Sequence, residues 1–293
     1  MSWTAYKLVY RAMSPIHIGY HKLGFIQRTR HYILGRNLWG ALIANLTRVV
    51  GSRDYEKIKE WVTEDIRFSY LYPTLSKDGN DALLPIFTKD GLKYGDYPAH
   101  EFERIFIHAY TQTALEPSSL TAEEGSLHET EYIAPMVKTK DGPRQVFFVG
   151  YIFLKAKSEI ELKDLQQALD RIFVGGERKY GFGQLKLEGE ISDFNEGRLF
   201  GIFPYKSNGD DILLTIPKGK PIPSHLEITD NMEARLKGDI EPLVGLEYGV
   251  RDKKVGFGQS PSKCRLCWVP GSVVTDGEPE FAVGEHGILK AQQ

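Results

Sequence analysis

The chain has 293 residues, with 37 Lys and Arg against 39 Asp and Glu, and a formal net charge of −2. Hydrophobic residues at 41% and charged residues at 26% exclude disorder as its main state, and the length predicts two domains. The longest apolar run, residues 146–154, is broken by Gly150 and is too short for a bilayer. The opening MSWTAYKLVYRAM has no signal-peptide core, and two cysteines exclude a disulfide scaffold, so the expectation is a cytoplasmic protein without a membrane partner.

The near-zero total conceals an asymmetry. Residues 1–53 hold Lys7, Arg11, Lys22, Arg28, Arg30, Arg36, Arg48 and Arg53 and no Asp or Glu, so the stretch carries +8 and the chain from Asp54 onward −10. Polyanion binding depends on local charge, and a carboxylate-free basic start suits an anionic partner that the bulk value would exclude.

In chain order, residues 5–13 alternate, with Tyr6, Leu8, Tyr10 and Ala12 on one side, which predicts a half-buried strand. A basic loop follows. Leu38, Leu42, Leu46 and Val49 then predict an amphipathic helix over 36–50, ended by Gly51, and a second helix is predicted over 54–64. Residues 70–100, rich in Tyr, Gly, Pro and Asp, read as an irregular insertion. Alternation predicts a second strand at 104–110, and the acid-rich 113–135 a projecting loop or hairpin. An apolar strand at 145–155, a helix at 160–173, the turn GGERKYGFG at 175–183 and a strand at 184–191 complete the series. That order is the split βαβ unit of ferredoxin-like folds, an α+β antiparallel sheet with both helices on one face. Short strands near 199–203, 212–216, 246–250 and 265–270 predict a second, β-rich module over 196–293.

The turn GGERKYGFGQ at 175–184 is echoed by YGVRDKKVGFGQ at 248–259. Glycines let backbone N–H groups approach phosphate oxygens while neighbouring cations neutralise them, which makes Gly175, Gly176, Arg178, Lys179, Gly181 and Gly183, and in the echo Arg251, Lys253, Lys254, Gly256 and Gly258, candidate RNA contacts. The same glycines serve equally as ordinary tight turns. Neither loop has a nucleotide-fold fingerprint, so no cofactor is expected. In PIHIGYHKLGFIQRTRHYILGR, the cations Lys22, Arg28, Arg30 and Arg36 alternate with Tyr20, Phe25 and Tyr32, the composition of a single-stranded RNA surface. His17, His21 and His31 in that loop are candidate general bases for a metal-independent ribonuclease, or stacking and structural residues. Cys264 and Cys267 form a CxxC, but a zinc site needs two more ligands, and two small buried hydrophobes are the expectation.

Four segments in order resemble the RAMP superfamily of CRISPR-associated proteins: SPIHIG ending the first strand, the helix entry YILGRNLWGALIANL, TALEPSSLTAEEGSLHETEYIAP, and GGERKYGFG before a strand. The helix entry departs from the family pattern in having Leu34 where proline is usual. The third segment is similar to a thumb-like hairpin of type III effector subunits, and VPGSVV at 269–274 to the C-terminal part of two-module, Cas-five-like subunits. The resemblance implies two ferredoxin-like (RRM-like) modules, the second degenerate, divided at about 195, with an insertion at 51–103 and a thumb-like segment at 112–135. It implies a guide (CRISPR) RNA-binding subunit of a type III complex, at the 5′ repeat-derived handle, contacting other RAMP backbone subunits and a large Cas-ten-like subunit. Target-cutting relatives carry an aspartate between the first strand and first helix. This chain has none, so target cleavage and a catalytic metal are not expected. The alternative is a guide-processing endoribonuclease of the same family, using His17, His21 or His31.

Overall fold

The computed structural model describes residues 2–229, 234–251 and 254–292. Four α-helices occur among them: α1 (Gly35–Val49), α2 (Tyr55–Asp65), α3 (Ala99–Phe106) and α4 (Leu162–Asp170). The first strand, Trp3–Ala12, pairs antiparallel with Phe147–Lys155 on one side, Leu8 opposite Gly150, and with Gln184–Leu187 on the other. Phe147–Lys155 pairs in turn with Ile66–Phe68. With α1 after the first strand and α4 after the third, the spatial order is fourth, first, third, second, the arrangement two interleaved βαβ halves produce.

The sheet is covered on both faces. Tyr6, Leu8, Tyr10, Phe148 and Ile152 share a buried cluster with Leu38, Leu42 and Leu46 of α1, Val62 of α2 and Leu165 of α4. Ala5, Tyr151 and Phe153 point the other way, into a cluster with Phe203, Leu214, Leu226 and Phe281 from the C-terminal half. Each fully buried leucine or phenylalanine contributes roughly 1.5–3 kcal/mol. Burial on both sides is why every position of 147–154 is buried, whereas Trp3–Ala12 alternates between buried and half-buried positions over most of its length. The chain's first carboxylate, Asp54, caps α2 by accepting from the Lys57 N–H at 3.0 Å.

Three expectations need correction. The second strand of the unit is Ile66–Phe68, which follows α2 directly, not 104–110. Residues 104–106 end α3, whose Phe102 and Phe106 are buried four residues apart. Ile107–Gln112 belongs instead to a separate sheet ordered Gly19–Leu23, Ile26–Thr29, His128–Ile133, Ile107–Gln112. Alternation over five residues cannot say which sheet a strand joins. Residues 70–100 are not irregular: Tyr72–Thr74 extends the central sheet, and Pro85–Thr88, Gly91–Tyr94 and Tyr97–Pro98 form a meander. The basic loop is itself a hairpin, Gly19–Leu23 against Ile26–Thr29, with the turn at Gly24.

Beyond residue 196 the described residues contain no α-helix. They build an eight-stranded sheet whose central strands are Asp211–Thr215, Glu280–Val283 and Leu289–Ala291. The second GFG lies inside the strand Lys254–Pro261, paired with Leu246–Arg251, whereas the first sits in a turn. The sequence echo is therefore not an echo of structure. Lys253 lies outside the described residues.

Candidate nucleic-acid interface

The turn after Arg171–Phe173 is built on the end of the first strand's loop. The Gly176 N–H donates to the His17 carbonyl at 2.9 Å and the Gly183 N–H to the Pro15 carbonyl at 2.8 Å. Gly175 has φ +75°, and a Cβ there would run into the His17 carbonyl oxygen, so the backbone passes where no side chain fits. Glu177 also takes a left-handed φ of +54°, leading into a short 3₁₀ turn, Arg178–Tyr180, whose three side chains are exposed. Arg178 is steadied by its Nε donating to the Gly175 carbonyl at 3.3 Å.

This turn faces the exposed side of α1. Arg36, Gly40, Ala44 and Arg48 are spaced by four along one helix face, with small residues in the middle and a guanidinium at each end. Together with Gly175, Arg178 and residues 244–246 they line a groove of about 550 Å³ that contains Arg36, Arg48 and Arg178 and, among the described residues, no carboxylate. Partial desolvation where the turn meets α1, and then the charge of Arg48, lower the pKa of the otherwise exposed Arg178 guanidinium. Like charges thus converge on one space, which an anion would relieve. The N-terminus of α1 opens beside them. Leu34 provides no side-chain cap and the first turn holds no acid, so no side chain there offsets the positive end of the helix dipole. Arg48 was not singled out in the sequence, although its place in the Arg-Gly-Ala-Arg series at intervals of four is legible there.

The other candidates are placed differently. Lys22 and His21 are exposed on the hairpin Gly19–Leu23, and Lys179 beside Arg178 on the turn; none of the three lines the groove. Arg28 bonds Glu131 at 2.8 Å and approaches Glu103 at 3.7 Å. Arg30 is 10% exposed in its side chain, pairs with Glu241 at 2.7 Å and lies over the Tyr20 ring at 4.5 Å, so it faces inward. Arg36 reaches the Leu246 carbonyl at 3.5 Å. Arg251, Lys254 and Gly256 follow the hairpin of Leu246–Arg251 and Lys254–Pro261, with Arg251 opposite Lys254 and Gly249 opposite Gly256; Gly258 is in the same strand.

The three histidines have three different surroundings. His17 is buried and donates Nδ1–H to the Glu131 carbonyl at 2.7 Å, beneath Gly176. His31 bonds the Tyr94 hydroxyl at 2.8 Å through Nδ1, and burial, then Arg28, push its pKa down to about 4. Of the cysteines, Cys267 is buried and its thiol is pushed up to about 12, by burial first, but Cys264 is exposed, contrary to expectation. Its position next to the charged Lys263 and Arg265 at the start of the strand Arg265–Trp268 keeps it at the surface. His225 lies elsewhere, in a buried chain. The Tyr70 hydroxyl donates to its Nδ1 at 2.7 Å, its Nε2 donates to Glu241 at 2.5 Å, and Glu241 also accepts Arg30. No cluster of three or more metal-ligating side chains occurs among the described residues, nor any helix long and apolar enough to cross a membrane.

Acid sensitivity follows from the buried imidazoles. Burial first, then Arg36, Arg265 and Lys290, push His286 down to about 3. With folded values of about 3 and about 4 against an ordinary 6.5, His286 and His31 are neutral in the fold and take up protons on unfolding below pH 6.5. Their contribution to stability is whole above that pH and is lost as pH falls toward the folded values. Unfolding near pH 5 is expected to take up about two protons through these groups, read from the slope of urea-unfolding free energy against pH, and His31→Gln should remove about one of them.

A RAMP superfamily model matches residues 9–186, more than half of the chain, which bears out the resemblance read from the sequence. No curated protein matches it. Among solved structures the chain is similar to a subunit in a cryo-EM structure of the Type III-B Cmr-beta bound to cognate target RNA and AMPPnP. The TM-score is 0.57 and the identity 12%, over 92% of this chain and 85% of that one. A second such structure, bound to cognate target RNA, gives a TM-score of 0.53 at 13% identity, over 92% and 86%. At these identities the likeness is one of fold, an α+β architecture of mostly antiparallel sheets. The ordered motifs, the interleaved βαβ sheet and the matched family model together make this chain a member of the RAMP superfamily.

Proposed function

We propose that this RAMP protein is a non-catalytic guide-RNA-binding and assembly subunit of a type III CRISPR effector complex, holding the 5′ repeat-derived handle. The observation that carries the reading is the groove of Arg36, Arg48 and Arg178, which brings together three guanidiniums and a helix N-terminus without a side-chain cap, with no carboxylate among its described lining residues. Phosphates gain from all three features, and the small Gly40 and Ala44 leave room for a backbone to lie close. The fold shared with subunits of Type III-B assemblies bound to cognate target RNA supports it. In this reading residues 1–195 form the RNA-facing ferredoxin-like module with its thumb-like hairpin, and 196–293 a degenerate second module. The acidic remainder of the chain faces RAMP backbone subunits and a large Cas-ten-like subunit in the cytoplasm.

The Arg178→Ala/Lys179→Ala variant is expected to bind a repeat-derived RNA more weakly, with the slope of log affinity against log salt reduced by about 1.4. An unchanged slope would remove the turn from the RNA path. Neither cleavage of target RNA nor guide processing is part of the proposal. Residues 1–53 offer no carboxylate, and of the three candidate bases His17 is buried and His31 nearly so, which leaves His21 alone exposed. Incubation with repeat RNA in EDTA, and with guide-complementary RNA and a divalent metal in the assembled complex, should leave both RNAs intact. Site-specific cutting lost on His→Ala would replace this reading by the endoribonuclease one.

A further inference from the structure

The four-stranded sheet that carries the hairpin Gly19–Leu23 has two chemically opposite faces. Residues paired across neighbouring strands share a face, and successive residues along a strand alternate between faces. The register sets Lys22 opposite Gln27, Gln27 beside Thr130, Thr130 opposite Tyr110, and Tyr132 opposite His108. These six side chains lie on one side. Both glutamates of HETEYI, Glu129 and Glu131, fall on the other, where Glu131 accepts the Arg28 guanidinium at 2.8 Å. Residues 113–135 are acid-rich, yet among the described residues of the four strands no Asp or Glu stands on the Lys22 side.

That side is open to solvent. Lys22 and His108 are exposed, Tyr110 is 52% exposed, and Thr130 between Gln27 and Tyr110 is buried. Tyr110 and His108 are two positions apart on one strand, which holds their rings about 7 Å apart along it. Tyr132 stacks on His108 at 6.1 Å between centroids and receives Phe182 edge-on at 5.4 Å. Phe182 belongs to the turn that carries Arg178 and Lys179, so the row of rings runs into that turn. The acids of residues 113–127 lie past the opposite end, because that loop leaves from Gln112 and returns at His128. None of the six side chains is aliphatic and the one Lys is the only Lys, Arg, Asp or Glu among them. Exposed rings at fixed spacing with a cation at their edge suit the π faces and phosphates of unpaired nucleotides better than an apolar protein surface.

We propose that this face is a base-stacking platform for single-stranded RNA, with Tyr110 and the His108–Tyr132 pair each taking one base and Lys22 facing the sugar-phosphate chain. This rests on the reading of the chain as an RNA-binding protein, but not on the groove that carries that reading.

The test is binding of the full chain to a short oligouridine and to the same strand made without bases. The oligouridine is expected to bind about tenfold more tightly or better. Tyr110→Ala/His108→Ala, which alters two exposed side chains, should lose about tenfold or more of that affinity and leave the slope of log affinity against log salt unchanged. Tyr110→Phe, which keeps the ring, should stay within about twofold of wild type. Photo-crosslinking of a strand carrying 5-iodouridine should attach it at Tyr110 or His108. Equal binding of the base-free strand, unchanged affinity in the double variant, or as large a loss in Tyr110→Phe would overturn the platform, and unchanged affinity is the outcome expected of a face that serves a protein partner. A protein that binds repeat-derived RNA but not oligouridine would also overturn it and leave the groove standing. An unchanged salt slope in Arg178→Ala/Lys179→Ala, with affinity lost in Tyr110→Ala/His108→Ala, would refute the turn and leave the platform.

Discussion

Replacing Glu241 by alanine is expected to cost the fold about 3–5 kcal/mol, because it leaves the Arg30 guanidinium buried without its counter-charge. The carboxylate, 11% exposed in its side chain, is the point where three groups from distant parts of the sequence meet: Arg30 at 2.7 Å, and His225 at 2.5 Å with Tyr70 behind it. Burial alone would raise its pKa. The hydrogen bond from His225 and the charge of Arg30 outweigh that and hold it down at about 2. Burial, in turn, keeps His225 below its ordinary value, so the imidazole acts as a neutral link from tyrosine to carboxylate. Arg30 and Tyr70 belong to the N-terminal half and His225 and Glu241 to the C-terminal half, so the loss falls on the contact that seats one half against the other. Urea unfolding reads it directly. Replacing both ends by methionine should recover a large part, since a buried ion pair exchanged for apolar groups is often close to neutral. A Glu241→Ala protein within about 1 kcal/mol of wild type would show that Arg30 finds water or another acceptor.

This pairing also explains what was legible in the sequence and what was not. Local periodicity located Trp3–Ala12, α1, α2 and α4 to within a few residues, because in each a repeating apolar face meets one core. It misjudged Ile66–Phe68, three residues too short to show a period, and Ile107–Gln112, whose alternation is real but serves another sheet. Among the site residues, Arg178 and Arg36 carried a signal in their glycine and helix-entry context. Arg30 looked identical to them in composition, yet it is neutralised by an acid 211 positions away. No local pattern announces such a partner. Charge counted along the chain found the basic start, and only the fold divides it into a groove at Arg36 and Arg48 and an internal pair at Arg30.

Gly175→Ala is expected to be nearly as damaging as the loss of Glu241, at about 3–4 kcal/mol, and to weaken RNA binding with it. The left-handed φ of +75° costs an L-residue roughly 1–2 kcal/mol on its own. The added methyl also meets the His17 carbonyl oxygen, and the backbone shift needed to relieve that contact breaks the 2.9 Å bond from the Gly176 N–H, worth about 1 kcal/mol. Gly181→Ala is the control. Its φ is +84° but nothing lies within 4 Å of the new Cβ, so only the conformational cost of about 1–2 kcal/mol should appear. A glycine needed solely so that phosphate can approach would leave stability unmoved at both positions once strain is subtracted. One needed because the turn is laid on the His17 backbone separates the two variants by about 2 kcal/mol. Thermal unfolding of the pair decides between these, and RNA affinity measured below both melting points tests the consequence. If the turn positions Arg178 through its contact with His17, Gly175→Ala should lower affinity at least as far as Arg178→Ala, while Gly181→Ala stays close to wild type. Equal stability and equal affinity in the two glycine variants would mean that the His17 backbone does not position the turn.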